Sequence, residues 1–178
     1  MPVLLSRRDL LLIGGAAIAA LSPAGRALAG DTARITMSGD SLGAEVWFDP
    51  VGMLVRPGTT VTFENDDPGN SHSSTAYHPV NRDHPLRIPA GAKPWDSGYL
   101  LPGEAFALVL TEPGVYDYYC QPHEAAGMRG RIVVAALDAA PDEPADDPLG
   151  LPAVAEIVRL GVVRRQRGAM AAPGGHHG

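Results

Sequence analysis

The stretch that decides the fold is "YDYYCQPHEAAGMRGRIVV", Tyr116 to Val134. Its first residues are aromatic and its last are β-branched, both strand-forming compositions. Pro122 and Gly127 bracket a short turn between them, so the run reads as two strands joined by a compact loop. Inside it lies the only cysteine of the chain, Cys120, with His123 three residues on and Met128 five further.

Outward from this stretch, short apolar or alternating runs recur between Gly and Pro punctuation. "ARITM", "AEVWF" and "GMLV" precede Pro57-Gly58, and "TTVTFEN" follows. In the last of these Val61 and Phe63 take one face, while Thr60, Thr62 and Glu64 take the other. "EAFALVLT" leads through Pro113-Gly114 into "VYDYYC", and "RGRIVVAA" ends the series. The pattern predicts an all-β, Greek-key β-sandwich of about seven to eight strands over residues 30–137. Between Asp66 and Leu101 the periodicity lapses in a segment rich in Pro, Gly, Ser, Asn and His. A loop of that length in a small domain points to a functional or binding surface.

The two ends read differently. "SRRDLLLIGGAAIAALSPAGRALAG" has an Arg7-Arg8 pair, an apolar run from Leu10 to Leu21 and Ala27-Leu28-Ala29 as an A-x-A site. This predicts a twin-arginine secretory signal over residues 1–29, cleaved after Ala29. The apolar run is too short to span a bilayer comfortably. Removing the segment takes away three arginines and one aspartate, moving the formal charge from −6 to −8. An acidic mature chain argues against a nucleic-acid partner. After residue 137 an acidic, proline-rich linker is expected over 138–151. A short helix is expected over 152–167, with Val154, Ile157, Val158 and Val162 on one face. The tail 168–178, carrying His176 and His177, reads as disordered.

Exported proteins commonly pair their cysteines. A lone thiol there is an intermolecular disulfide, a liability or a protected functional group, and metal ligation is one way to protect it. Thiolate, imidazole and thioether are soft or borderline ligands, and two His, one Cys and a weak axial Met make a type 1 copper set. A single Cys on a strand is more often a small buried hydrophobe, and it is the company of His123 and Met128 that favours ligation. The second histidine must come from elsewhere: His72, His78 and His84 are available. His72 follows the strand "VTFEN" closely, which places it at the same end of the sandwich as Cys120. His78 and His84 lie further into the loop, where they read as ordinary loop residues or as a weak extra metal site.

The run from Tyr116 to Val134 resembles the C-terminal end of plastocyanin-type cupredoxins, in its Tyr-x-x-Tyr-Cys-x-Pro-His and Gly-Met-x-Gly elements. "VRPGTTVTFEN" resembles their middle strand, and His72-Ser73 fits the histidine that follows it. The resemblance covers residues 31–136. It implies one mononuclear type 1 copper ion held by His72, Cys120, His123 and Met128. A site of four protein ligands leaves no open position for a substrate, so with the export signal the expectation is a monomeric, exported or periplasmic electron carrier that serves redox proteins and is not an enzyme. A periplasmic copper carrier or buffer is the alternative. Ser73 is expected to steady the ligand loop. Strand alternation turns Tyr119 outward beside the ligand. Asp66 and Asp67 are candidates for orienting a partner, and Glu124 is expected to be solvated. The segment Ser73–Leu101 departs from an ordinary plastocyanin.

Overall fold

The computed structural model describes residues 31–40, 45–136, 141–142, 144 and 147–165. The predicted signal segment and C-terminal tail lie outside the described residues. Among them are nine strands: β1 (Thr32–Gly39), β2 (Val46–Asp49), β3 (Gly52–Val55), β4 (Thr59–Asn65), β5 (Thr75–Ala76), β6 (Ala105–Leu110), β7 (Gly114–Tyr119), β8 (Arg129–Val134) and β9 (Val162–Val163). They form two sheets of a β-sandwich, ordered β2-β1-β4-β6 and β5-β7-β8-β3-β9. The β1–β4 and β3–β8 pairs are parallel, whereas the other pairings are antiparallel. Parallel neighbours need crossovers from one sheet to the other, and these crossovers tie the two layers into one core.

Alternation explains which faces meet. In β4 the buried residues are Thr59, Val61, Phe63 and Asn65, every second position. Phe63, Phe48 and Tyr118 pack edge to face beneath the site, with centroid separations of 4.8 Å for Phe48–Tyr118 and 5.1 Å for Phe63–Tyr118. Such T-shaped pairs add stabilisation beyond the area they bury. Cys120 and Met128 belong to the same core cluster as Ile35, Met37 and Ile132.

The C-terminal segment differs from its expected form. Helix α1 spans Val154–Leu160 rather than 152–167, and Gly161, with φ 73°, ends it. The chain then pairs as β9 against β3, Met53 opposite Val162 and Gly52 opposite Val163. Val154 and Ile157 are buried against Val133 and Ala135, so the helix docks on the outer face of the sandwich. Val162, grouped with them by helical spacing, is exposed because it lies in the strand. A buried ionic cluster holds this region to the long loop. Arg131 donates from Nε to Asp117 (2.7 Å), from Nη2 to the same carboxylate (3.1 Å) and from Nη1 to the Pro152 carbonyl (3.0 Å). Arg87, in the long loop, donates to Asp117 at 2.9 Å.

Candidate metal centre

Three elements converge at one end of the sandwich. β7 ends at Tyr119 and delivers Cys120. The 3-10 helix Gln121–Ala126 turns His123 back over it, and Met128 opens the approach to β8. Gly127 makes the return possible with φ 82°, a left-handed conformation that costs glycine little. The loop closes on its own backbone: Cys120 N–H donates to Met128 O (3.0 Å), His123 N–H to Cys120 O (3.1 Å) and Met128 N–H to His123 O (3.1 Å).

His72 arrives from the other sheet. It lies seven residues beyond the end of β4 and is held by a two-way backbone bridge to Leu100, at 3.1 and 2.7 Å. Its Nδ1 lies 3.6 Å from Cys120 Sγ and 3.1 Å from His123 Nδ1, and His123 Nδ1 lies 3.5 Å from Sγ. Together the three side chains could hold a metal ion. His72, Cys120 and Met128 are fully buried, whereas His123 sits at the rim among the exposed Pro122, Ala125 and Ala126. His78 and His84 are not brought to this cluster. His78 Nδ1 accepts the Val80 N–H at 3.1 Å, and His84 Nε2 lies 3.2 Å from a Glu124 carboxylate oxygen.

Without a metal the donors are uncharged. Burial pushes the Cys120 thiol up to about 11, against the opposing pull of the Ser73 and His123 backbone N–H groups. Without a metal it is therefore a thiol at neutral pH, and metal binding must release its proton. Burial holds both His72 and His123 below the ordinary histidine value. Both rings are therefore neutral at pH 7, with a lone pair available for coordination. Ser73 braces the set, as expected: its N–H donates to Cys120 Sγ (3.3 Å) and its Oγ accepts the Gln121 N–H (2.8 Å).

Three expectations are overturned. Tyr119 does leave the sheet on the outer face, but it is 0% exposed. The long loop covers it, with the Tyr77 and His84 rings each 4.6 Å from its centroid. Glu124 is not simply solvated, because Tyr77 donates its hydroxyl to it at 2.7 Å and His84 contacts its other oxygen. Asp67 faces inward at 2% exposure and lies 3.0 Å from His72 Nε2, while Asp66 remains at the surface against Arg34. The Asx-rich run "NDDPGN" marks a turn at Asp67 but not its burial. Nothing local marked Tyr77 or His84 as the cover of Tyr119.

Comparison with known proteins places the chain. Residues 35–135 match the family described as copper binding proteins, plastocyanin/azurin family. A chloroplastic plastocyanin of Oryza sativa subsp. indica is 34% identical over 135 residues, covering 74% of this chain and 82% of the relative. Among solved structures, a Sinorhizobium pseudoazurin is 30% identical with a TM-score of 0.47, covering 60% of this chain and 75% of that one. A purple cupredoxin from Nitrosopumilus maritimus is also 30% identical, with a TM-score of 0.44 and coverage of 58% and 99%. With a soft donor set at the mouth of a two-sheet sandwich and a family match that runs from β1 through β8, the chain belongs to the plastocyanin/azurin family of copper binding proteins.

Proposed function

We propose that the protein is an exported blue copper electron carrier whose metal is held by His72, Cys120, His123 and Met128. The observation that carries this reading is the convergence of His72 Nδ1, Cys120 Sγ and His123 Nδ1 within 3.1–3.6 Å, beneath one partly exposed imidazole. The donors fit the metal: two neutral imidazoles, one thiol shielded from disulfide exchange and one buried thioether make a set suited to copper. Bound copper supplies a one-electron Cu(I)/Cu(II) couple.

The residues supply the rest. With four protein donors the site keeps no position for a substrate, so the protein is a carrier and not an enzyme. His72 and Cys120 are buried and braced, which limits rearrangement when the charge changes. His123 reaches the surface among Pro122, Ala125 and Ala126, an apolar collar on which a redox protein can sit. Electrons pass along the His123 edge to and from such partners. The twin-arginine signal over residues 1–29 directs the chain out of the cytoplasm, to the periplasm in a bacterium. No described helix is long and apolar enough to cross a membrane.

The test is an absorption spectrum of the copper-loaded protein lacking residues 1–29. An intense blue band from thiolate-to-copper charge transfer is expected, bleached by a mild reductant and restored by oxidation. His72→Ala abolishes the band, whereas His78→Ala and His84→Ala retain it. A colourless copper complex refutes the type 1 site, and a band that survives His72→Ala refutes its fourth ligand.

A further inference from the structure

Asp67 is a carboxylate with nowhere to be but beside His72. It is 2% exposed. Its Oδ1 accepts the Gly69 N–H at 2.8 Å, and its Oδ2 accepts the Asn70 side-chain amide at 2.8 Å. Its own N–H donates to Asn65 Oδ1 at 3.0 Å. Asn65 in turn donates to the carbonyls of Asn70 (2.9 Å) and Leu100 (2.8 Å), and Leu100 is the residue bridged to His72. On the remaining side lies Gly39, at the end of β1. A Cβ there would overlap the Asp67 carboxylate, so the glycine leaves the room that the acid occupies. The carboxylate is thus set by a turn, an asparagine and a facing strand, and it spends Oδ2 on His72 Nε2 at 3.0 Å.

An ionised carboxylate only accepts hydrogen bonds. Nε2 must therefore carry the imidazole proton, which leaves Nδ1 unprotonated. Nδ1 is the nitrogen turned toward Cys120 Sγ and His123 Nδ1. A backbone carbonyl or an amide oxygen could orient the ring equally well, but neither would bring a charge. Cu(II) carries one positive charge more than Cu(I). A buried anion one imidazole away therefore stabilises the oxidised metal more than the reduced one, in surroundings that screen it poorly.

We propose that Asp67 is the positioning residue of the copper site: it fixes His72 with Nδ1 free for the metal, and its buried charge lowers the reduction potential. This rests on reading His72 as a copper ligand. Gly39 is its structural accomplice, since any side chain there displaces the carboxylate.

Two measurements decide it. On metal-free wild-type protein, nitrogen-15 NMR of the histidines is expected to show His72 protonated at Nε2. The Nδ1-protonated form would overturn the positioning role, and no variant is needed to see it. On copper-loaded protein, Asp67→Asn keeps an acceptor and removes the charge. It is expected to keep the blue band, raise the midpoint potential, and weaken Cu(II) binding relative to Cu(I) by about tenfold or more. Asp67→Glu restores the charge and brings the potential back toward wild type. Should Asp67→Asn fail to fold, Gly39→Ala tests the same charge by moving it, with the same rise expected. An unchanged or lower potential in the variant that retains the band overturns the electrostatic role. A wild type without the blue band would sink the copper reading instead, while the NMR result, taken without metal, would still stand.

Discussion

Replacing Ile157 by Ala should unseat the C-terminal extension from the sandwich, and the structure gives the cost. Ile157 is 0% exposed and packs against Val133, Ala135 and Val154. The substitution removes three buried carbons, which at ~0.8 kcal/mol each is roughly 2.4 kcal/mol of transfer free energy. The residual cavity adds to this, and the better helix propensity of Ala returns a few tenths. A net loss of about 3 kcal/mol follows. Relaxation cannot readily fill the void, because the residue facing it is Gly52. A Cβ there would come within 2.9 Å of Ile157 Cδ1 and Cγ1, so the wild-type fit needs glycine. Hence Gly52→Ala alone overpacks and destabilises by about 1–3 kcal/mol. In the Ile157→Ala background the new methyl enters the void, so the two effects fall short of their sum. Urea unfolding followed by tryptophan fluorescence measures all three variants, since Trp47 lies in β2 and Trp95 packs into the core from the long loop. Leu160→Ala, at 48% exposure in the same helix, is the control and should change little. A loss below about 1 kcal/mol for Ile157→Ala, or additivity in the cycle, would refute docking on the sandwich. It would favour a helix that waits for a partner.

Two further outcomes are expected. Metal-free protein should lose stability as pH falls below the ordinary histidine value of 6.5, because burial holds His72 and His123 below it and the unfolded chain takes up protons first. For Asp67, burial pushes the carboxyl up, but Asn70, the Gly69 N–H and His72 together hold it below 3.8. Its contribution is therefore complete above that value and is lost only in stronger acid; a chemical-denaturation midpoint that is flat from pH 8 to 5 after chelation would contradict the histidine part. Met128→Leu should retain copper and raise the reduction potential by removing a weak thioether donor, and an unchanged potential in protein-film voltammetry would count against Met128 as ligand.

The sequence was most legible where structure is local. Cys120, His123 and Met128 share one turn between two strands, so spacing alone brings them together. The alternation of "TTVTFEN" assigned the buried face of β4 correctly at Val61 and Phe63. β5 and β9 are two residues each, too short for any period to show. Asp67 was misplaced for a different reason. A pair of aspartates in a Pro-Gly turn has the composition of a solvated loop, and it is the approach of Gly39 from β1, with the His72 ring folded back from five residues on, that makes the second one interior. Tyr119 obeys its alternation and is buried nonetheless. A two-face rule knows nothing of a loop folded over the outer face.

That loop also explains its own lack of periodicity. Between Asp66 and Leu101 the backbone is satisfied by scattered turn and bridge bonds together with side chains, instead of a long ladder, as any buried backbone must be. Asn81 donates to the carbonyls of Ala76 and Trp95, at 2.9 and 3.0 Å. The Ser74 N–H donates to Ser97 Oγ, and Trp95 Nε1 donates to Ser74 Oγ. Polar residues at irregular intervals are what such a scheme requires, so their density reports order and not looseness. The bonds then reach the ligand loop: Ser73 and Arg82 hold Gln121, and Tyr77 and His84 hold Glu124. Gln121 and Glu124 flank Pro122 and His123, so the segment clamps the partly exposed His123 from both sides in sequence. A carrier must change charge with little movement of its cage. The residues that looked least like structure are those that restrain His123, the member of the cluster most open to solvent.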